Sequence, residues 1–387
     1  MSETAADSKS RARELVPGLA DVPVVASSIS YIDGQKGVLA YRGYPIEALA
    51  ERSTFEEVSW LLIKGRLPDR AELESFRKRL CAQREMPARL LEVLRAFPGA
   101  GHPMFALQAS IACLGMFSRK RDVHDPEDIE DACIRILAAT PVMVAAFERQ
   151  RTGKDYVAPD PELGTAANFL YMLRGEKPDE FAARVLDVAL ILHAEHTMNA
   201  STFACRVVAS TEADPFTACS SAVGALTGPL HGGANEQVLE MLRDIGTPER
   251  VGPWLDAQLT GKGKVMGFGH RVYKVKDPRA LILQDLAQKL FERLGSTPIY
   301  DVALELEAQM ARRMGHKGVY PNVDYFSGIV YAKLGIPVDL FTPVFAIARV
   351  SGYVAHWVEQ LQGNKIFRPE QIYDGAHGRE YVEIGLR

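Results

Sequence analysis

The sequence predicts a mainly α protein of two lobes, with one small β-hairpin near its N-terminus. At 387 residues the chain exceeds the usual size of one compact domain. Helical apolar spacing broken by Pro and Gly recurs from residue 54 onward, with no fixed period that would make a solenoid. Only residues 25–45 carry a clear strand signal. There Ser28-Ile29-Ser30-Tyr31-Ile32 runs into Asp33-Gly34 and then Val38-Leu39-Ala40-Tyr41. An Asp-Gly step between alternating runs marks a hairpin, because the turn requires positive φ.

The helices follow in order. Thr54 caps a helix carrying Val58, Leu61 and Leu62. Leu67-Pro68-Asp69 ends it, and Ala71 to Cys81 starts the next. Further helical units are expected over 104–119, 127–150, 163–173 and 178–210, then over 234–245, 278–294, 300–314, 325–334 and 342–361. Residues from about 225 to 333 are rich in glycine and lysine. They form the expected smaller lobe, with a cleft against the rest.

Apolar residues make up 47% and charged residues 24%, with a formal charge of −4. Neither a nucleic-acid-binding surface nor a membrane surface is expected from that balance. No apolar run is expected to span a bilayer. Met1 to Glu14 lacks the apolar stretch of a secretory signal and reads as a disordered tail. Cys81, Cys113, Cys133, Cys205 and Cys219 are dispersed with no CxxC pair, which predicts reduced thiols and a cytoplasmic protein.

Three segments put a chemically able side chain in an unusual setting. In Gly228-Pro229-Leu230-His231-Gly232-Gly233-Ala234-Asn235, His231 stands before a helix start, where partial positive charge favours a neutral imidazole able to donate to a forming enolate. A structural hydrogen bond in a glycine turn explains it equally well. In Gly267-Phe268-Gly269-His270-Arg271, His270 is flanked by Lys262, Lys264, Lys274 and Lys276, which suit phosphates or simply solvent. The glycines there lack the spacing and strand–turn–helix context of a dinucleotide fingerprint. In Pro321-Asn322-Val323-Asp324, a carboxylate beside Tyr325 and Phe326 is either a desolvated base or a helix N-cap.

His193, His196 and Asn199 recur at i, i+3 spacing, expected on one side of a single helix. With Glu195 they allow a metal reading, but the spacing is not HExxH, and no metal is expected. Arg279 follows Asp277-Pro278, Arg349 sits in an apolar helix after Phe345, and Arg368 precedes Pro369. A buried arginine needs a partner, either a dicarboxylate substrate or a protein carboxylate.

Together these motifs resemble the citrate synthase family, from Gly18-Leu19 and Tyr31-Ile32-Asp33-Gly34 to Phe367-Arg368-Pro369. The resemblance implies a two-domain, almost all-α fold, with residues 1–224 and 334–387 in the large domain and 225–333 in the small one. It implies condensation of acetyl-CoA with oxaloacetate and water, giving citrate and CoA without a cofactor. Asp324 matches the base, His231 the residue bonding the enol or enolate, and His270 the acid on the oxaloacetate carbonyl. His196, Asn199, Arg279, Phe345, Arg349 and Arg368 fall on oxaloacetate positions. Arg368 matches an arginine reaching the partner's site, so a homodimer is implied, and larger assemblies of dimers remain open. Lys264, Met266, Gly267, Gly269 and Lys274 fall in the coenzyme A region. The match begins without the extra N-terminal domain of forms inhibited by NADH, so that regulation is not expected.

Three alternatives stand beside this reading. 2-Methylcitrate synthase would use propionyl-CoA on the same residues; the stretch Val272 to Arg279 and the hairpin favour acetyl-CoA. A non-catalytic, assembly-forming protein of the same fold is the second, and a metal hydrolase using His193 and His196 is the third.

Overall fold

The computed structural model describes residues 15–118, 122–261 and 263–387. The expected N-terminal tail and Lys262 therefore lie outside the described residues. Among those described there are sixteen α-helices and one three-stranded antiparallel sheet. The sheet comprises β1 (Ser30–Asp33), β2 (Val38–Tyr41) and the two-residue β3 (Tyr44–Pro45), in that order.

The hairpin differs from expectation in its turn. Asp33 pairs with Val38, so four residues connect the strands. Gly37, with φ 67°, takes the left-handed position rather than Gly34. Asp33 Oδ1 accepts from the N–H groups of Gln35 and Lys36, which closes the turn. Gly34 serves close packing instead: a Cβ there would overlap the carbonyl oxygen of Val272.

The helices are α1 (Ile46–Arg52), α2 (Phe55–Lys64), α3 (Arg70–Ala82), α4 (Ala88–Ala96), α5 (Pro103–Met116), α6 (Pro126–Arg151), α7 (Thr165–Arg174) and α8 (Glu180–His193). They continue as α9 (Ala200–Ala209), α10 (Pro215–Leu226), α11 (Ala234–Ile245), α12 (Pro248–Thr260), α13 (Pro278–Leu294), α14 (Pro298–Met314), α15 (Val323–Lys333) and α16 (Phe341–Leu361). Local chemistry sets most of the starts. Thr54 accepts from Glu57 N, and Asp69 forms a capping box with Glu72. Pro at the first helical position opens α5, α6, α10, α12, α13 and α14, where its missing N–H costs nothing.

The expected unit 178–210 is two helices, α8 and α9. Thr197 adopts φ 51° and breaks the run. Asn199 then caps α9, its side chain accepting from Thr202 N at 3.0 Å. Tyr41 closes the end of α8, its hydroxyl reaching Ile191 O in the last turn at 3.2 Å and Glu195 O just beyond it at 2.9 Å. The expected segments also omitted α1, α4, α10 and α12. In α12, Gly252 and Pro253 disguise the helical period.

α6 and α16 form the centre of the larger helical group. Val338–Leu361, which contains α16, is long and apolar enough to cross a membrane by length and composition, longer than the sequence reading allowed. Its apolar window is 83% buried inside the protein, so its surface is already used by the core. Each fully buried aliphatic side chain there contributes roughly 1.5–3 kcal/mol. α11 to α15 pack mainly on one another, with α13 also meeting α1 and α8, and α11 meeting α16.

Candidate active site

Two chain segments are tied side by side, and this places His270 against the start of α15. Phe268 bridges to Pro321, Gly269 N donates to Tyr320 O at 2.9 Å, and Asn322 N donates to Gly267 O at 2.8 Å. The Asn322 side chain completes the link. Its Nδ2 donates to Gly269 O at 3.0 Å, while its Oδ1 accepts from Asp324 N at 3.0 Å. Asn322 is therefore the N-cap of α15, and Asp324 is inside the first turn with its carboxylate not used as a cap. Burial raises the Asp324 carboxyl to about 6, against the pull of Arg279 and Arg349 and with help from Asp277.

His270 Nδ1 accepts from the backbone N–H of Val272 at 3.0 Å and of Tyr273 at 3.2 Å. Backbone N–H groups can only donate, so the ring proton sits on Nε2. Burial lowers its pKa to about 4, and Arg279 adds to that. The ring is thus a neutral donor at physiological pH.

His231 follows the same logic with its nitrogens exchanged. Its Nε2 accepts from Ser201 N at 3.3 Å, leaving the proton on Nδ1. Ser201 Oγ lies 2.7 Å from that Nε2 and accepts from Tyr353 Oη at 2.7 Å. Ser201 is in the first turn of α9, so the helix N-terminus in contact with His231 is that of α9. The sequence had pointed to the helix after it, α11. Burial lowers His231 to about 4, with Arg349 the second cause.

His193, His196 and Asn199 do not share one helix face, because α8 ends at His193. His193 Nδ1 donates to Ala189 O at 2.7 Å, a bond within α8. His196 lies in the bend beyond it. Its ring is 5.3 Å from that of His270 and 5.7 Å from that of Tyr273, and its buried Nε2 has no protein partner. Burial, then Arg279, holds His196 well below the usual imidazole range. Among the described residues no group of three His, Cys, Asp or Glu side chains is placed to hold a metal.

The two buried arginines are held differently. Arg279 makes a two-point contact with Asp277, Nε to Oδ1 at 3.1 Å and Nη2 to Oδ2 at 2.7 Å. Arg349 donates from Nε to His193 O at 2.7 Å and lies over the Phe345 ring at 4.6 Å. Among the described residues no carboxylate is within ion-pair distance of Arg349. Its charge acts on His231, His196 and Asp324, which places all of them around one cationic centre.

The remaining expected residues are more peripheral. Met266, Gly267 and Gly269 lie in the segment that carries His270, and Lys264 and Lys274 are exposed beside it. Lys274 N donates to Gly34 O at 2.9 Å, docking this loop on the hairpin. Lys276 is not free for phosphate, since its Nζ is bound to Gln284 and Glu307. Arg368 is exposed and outside the cluster of its own chain. The neighbouring Phe367 N donates to Ser210 Oγ just past the end of α9, about 15 Å from the histidine-facing end by helix rise. A separate open depression of about 720 Å³ between α2, α3, α7 and α8 includes none of these residues.

The family profile described as "Citrate synthase, C-terminal domain" matches residues 18–370. The citrate synthase of Synechocystis sp. is 55% identical over 370 residues, covering 96% of this chain and 93% of that protein. The chain belongs to the citrate synthase family. The citrate synthase of Acidithiobacillus ferridurans is 46% identical, covering 96% and 98%. The crystal structure of citrate synthase from Pyrobaculum aerophilum superposes with a TM-score of 0.91 at 41% identity, covering 96% and 95%. A citrate synthase from Thermoplasma acidophilum, in ternary complex with carboxymethyl coenzyme A and oxaloacetate, gives 0.91 at 33% identity, covering 96% and 99%.

Sequence reasoning passed over Ser201, Tyr353 and the double role of Asn322. Ser201 stands two residues after Asn199, but nothing local signals a bond to a residue thirty positions away. Only the break at Thr197 hints that 194–199 is a shaped bend rather than helix.

Proposed function

We propose that Asp324, His231 and His270 divide the chemistry of the condensation of acetyl-CoA with oxaloacetate and water to citrate and CoA. Asp324 removes a proton from the methyl carbon of the thioester. The electron pair passes to the thioester oxygen, which accepts a hydrogen bond from His231 Nδ1–H. The enolate carbon then attacks the oxaloacetate keto carbon, and the keto oxygen takes the Nε2 proton of His270. Water finally adds to the thioester carbonyl, and CoA leaves as the thiol. The observation that carries this reading is one raised carboxyl set among two neutral imidazoles, each with one fixed N–H, around Arg279 and Arg349. A base near 6 is ionised at neutral pH and still strong enough to take a proton. A preorganised N–H donor stabilises charge only as it develops.

Oxaloacetate would sit between the arginines. Arg349, with open terminal nitrogens, would bind one carboxylate, and Arg279, already held by Asp277, would present what remains of its fork to the other. His196 Nε2 and the Asn199 bend would complete that side, and Phe345 would support Arg349 from below. Lys264, Lys274 and the backbone at Met266, Gly267 and Gly269 would take the CoA moiety. The reaction needs no cofactor. The mutual packing of α11 to α15 supports residues 225–333 as a small domain that closes on 1–224 and 334–387. Closure would keep water from the thioester until the carbon–carbon bond has formed.

Release of free thiol from acetyl-CoA and from propionyl-CoA, each with and without oxaloacetate, tests this function. Oxaloacetate-dependent release that is faster with acetyl-CoA is the expected result. Faster release from propionyl-CoA moves the assignment to 2-methylcitrate synthesis, and release from neither overturns the reading.

A homodimer accounts for the C-terminal segment. Residues 362–387 hold no α-helix or strand, only a short 3-10 turn at Ile384–Leu386, and are mostly exposed, with Ile366, Ile372, Tyr373, Tyr381, Ile384 and Leu386 each more than half exposed. Apolar side chains presented that way suit burial on a second copy. Arg368 would then enter the partner's site, in a protein we place in the cytoplasm. Mixing Arg368→Ala with Asp324→Ala chains, each inactive alone, should restore part of the activity. If subunit exchange is verified and none returns, the shared site is wrong.

A further inference from the structure

The β-hairpin touches both halves of the oxaloacetate site, at residues that no catalytic role uses. At its base, Ser30 Oγ accepts from Thr197 N at 3.2 Å and donates to Glu195 Oε1 at 3.1 Å. Tyr41 on β2 closes the same bend, bonding both Glu195 O at 2.9 Å and Glu195 N at 3.3 Å. At its tip, Gly34 O accepts from Lys274 N at 2.9 Å, and the Gly34 backbone presses on Val272. The first pair of contacts sets the bend that carries His196. The second sets the loop whose Val272 and Tyr273 amides fix the His270 tautomer.

Glu195 is fully buried and sits at a branch point. Its Oε1 accepts from His356 Nε2 at 3.0 Å. Arg206 Nε donates to His356 Nδ1 at 2.9 Å, which leaves the ring proton on Nε2, facing Glu195. Arg206 is paired with Glu359, and Glu359 Oε1 accepts from Ser28 N at 2.8 Å, just before β1. A closed chain of polar contacts thus runs from Ser28 through Glu359, Arg206, His356 and Glu195 back to Ser30. Glu195 Oε1 carries the bonds of this network, while its Oε2 is buried without a hydrogen-bond partner, so the chain of contacts positions the bend through one oxygen.

We infer that Ser30 and Glu195 are positioning residues for oxaloacetate, and that the hairpin is the brace holding the His196 bend against the His270 loop. Neither side chain touches the reacting atoms. Their effect passes through the backbone of residues 195–197, whose displacement moves His196 relative to the Nε2–H of His270. A shift of that kind weakens binding of the keto acid and leaves the CoA-binding surface in place. The inference rests on the site assignment proposed above.

Steady-state kinetics of Ser30→Ala, Ser30→Thr and Glu195→Gln, beside the wild type, test it. Loss of the two Ser30 hydrogen bonds should raise the KM for oxaloacetate about tenfold. The KM for acetyl-CoA at saturating oxaloacetate and the melting temperature should stay near wild type. Ser30→Thr, which keeps the hydroxyl, should restore most of the affinity. Glu195→Gln should show the same split. The inference fails if Ser30→Ala keeps the wild-type KM for oxaloacetate. It fails equally if both KM values rise together with a drop in melting temperature, the signature of a merely structural role. A wild type that does not turn over acetyl-CoA overturns the site assignment instead.

Discussion

Asp324→Asn is expected to lose about 10²–10⁴-fold in kcat while making the folded protein more stable at neutral pH. Both effects have one cause. The carboxyl is held near 6, above its ordinary value, because burial opposes its charge. Removing the base removes proton abstraction from the methyl carbon, a step that no other group in the cluster is set to perform. His231 and His270 are held neutral, but each already accepts backbone N–H bonds at its free nitrogen.

The stability half follows from linkage. The folded-state pKa lies above the unfolded one, so the folded state binds the proton more tightly between about 4 and 6. Above that window the charged carboxylate costs the folded protein on the order of 2–3 kcal/mol. As pH falls through 6 toward 4 the proton returns and the cost disappears. Asparagine never has the charge. The variant should melt higher than wild type at pH 7.5, and the gap should close as the pH is lowered to 4. Thermal melts across that range check it, and a variant less stable than wild type at pH 7.5 would contradict it.

Arg349→Met is expected to raise the KM for oxaloacetate by about 10²–10³-fold, the scale for losing one partner of a buried, hydrogen-bonded charge pair. Methionine keeps much of the stem that packs on Phe345 but not the guanidinium. The bond to His193 O is lost as well, so part of the effect will come through the end of α8. A second consequence separates the charge from the packing. Arg349 lowers the pKa of Asp324, so its removal should move the acid limb of the pH–rate profile upward. Titration calorimetry with oxaloacetate alone measures the first effect. Oxaloacetate affinity within threefold of wild type would remove Arg349 from the substrate site.

Much of the fold was legible because its helices announce themselves locally. The boundaries of α11 and α13 follow from apolar spacing and a proline or glycine start. The bend at 194–199 was not legible. Its apolar residues continue a helical period, and the break comes from Thr197 and from Tyr41 and Ser30, more than 150 residues earlier. The hairpin turn was misjudged for a similar reason, since Gly34 answers to Val272 and not to its own turn. At the site, the glycine and proline settings of His231, His270 and Asp324 stood out as sequence. In the structure Arg349 bears on His231, Arg279 on His270, and both on Asp324. The orientation of each ring nitrogen could not be read, because Ser201, Val272 and Tyr273 set it through backbone amides that any residue carries. A one-dimensional pattern records which side chain is present, not which N–H it faces.

The dependence of kcat/KM on pH, measured for wild type between pH 4.5 and 9 under saturating oxaloacetate, tests the central claim most directly. A raised Asp324 acting as base among neutral histidines predicts a single acid limb with an apparent pKa about 6, absent from the residual activity of Asp324→Asn. Full activity persisting down to pH 4.5, or the same limb in the asparagine variant, would show that Asp324 is not the base.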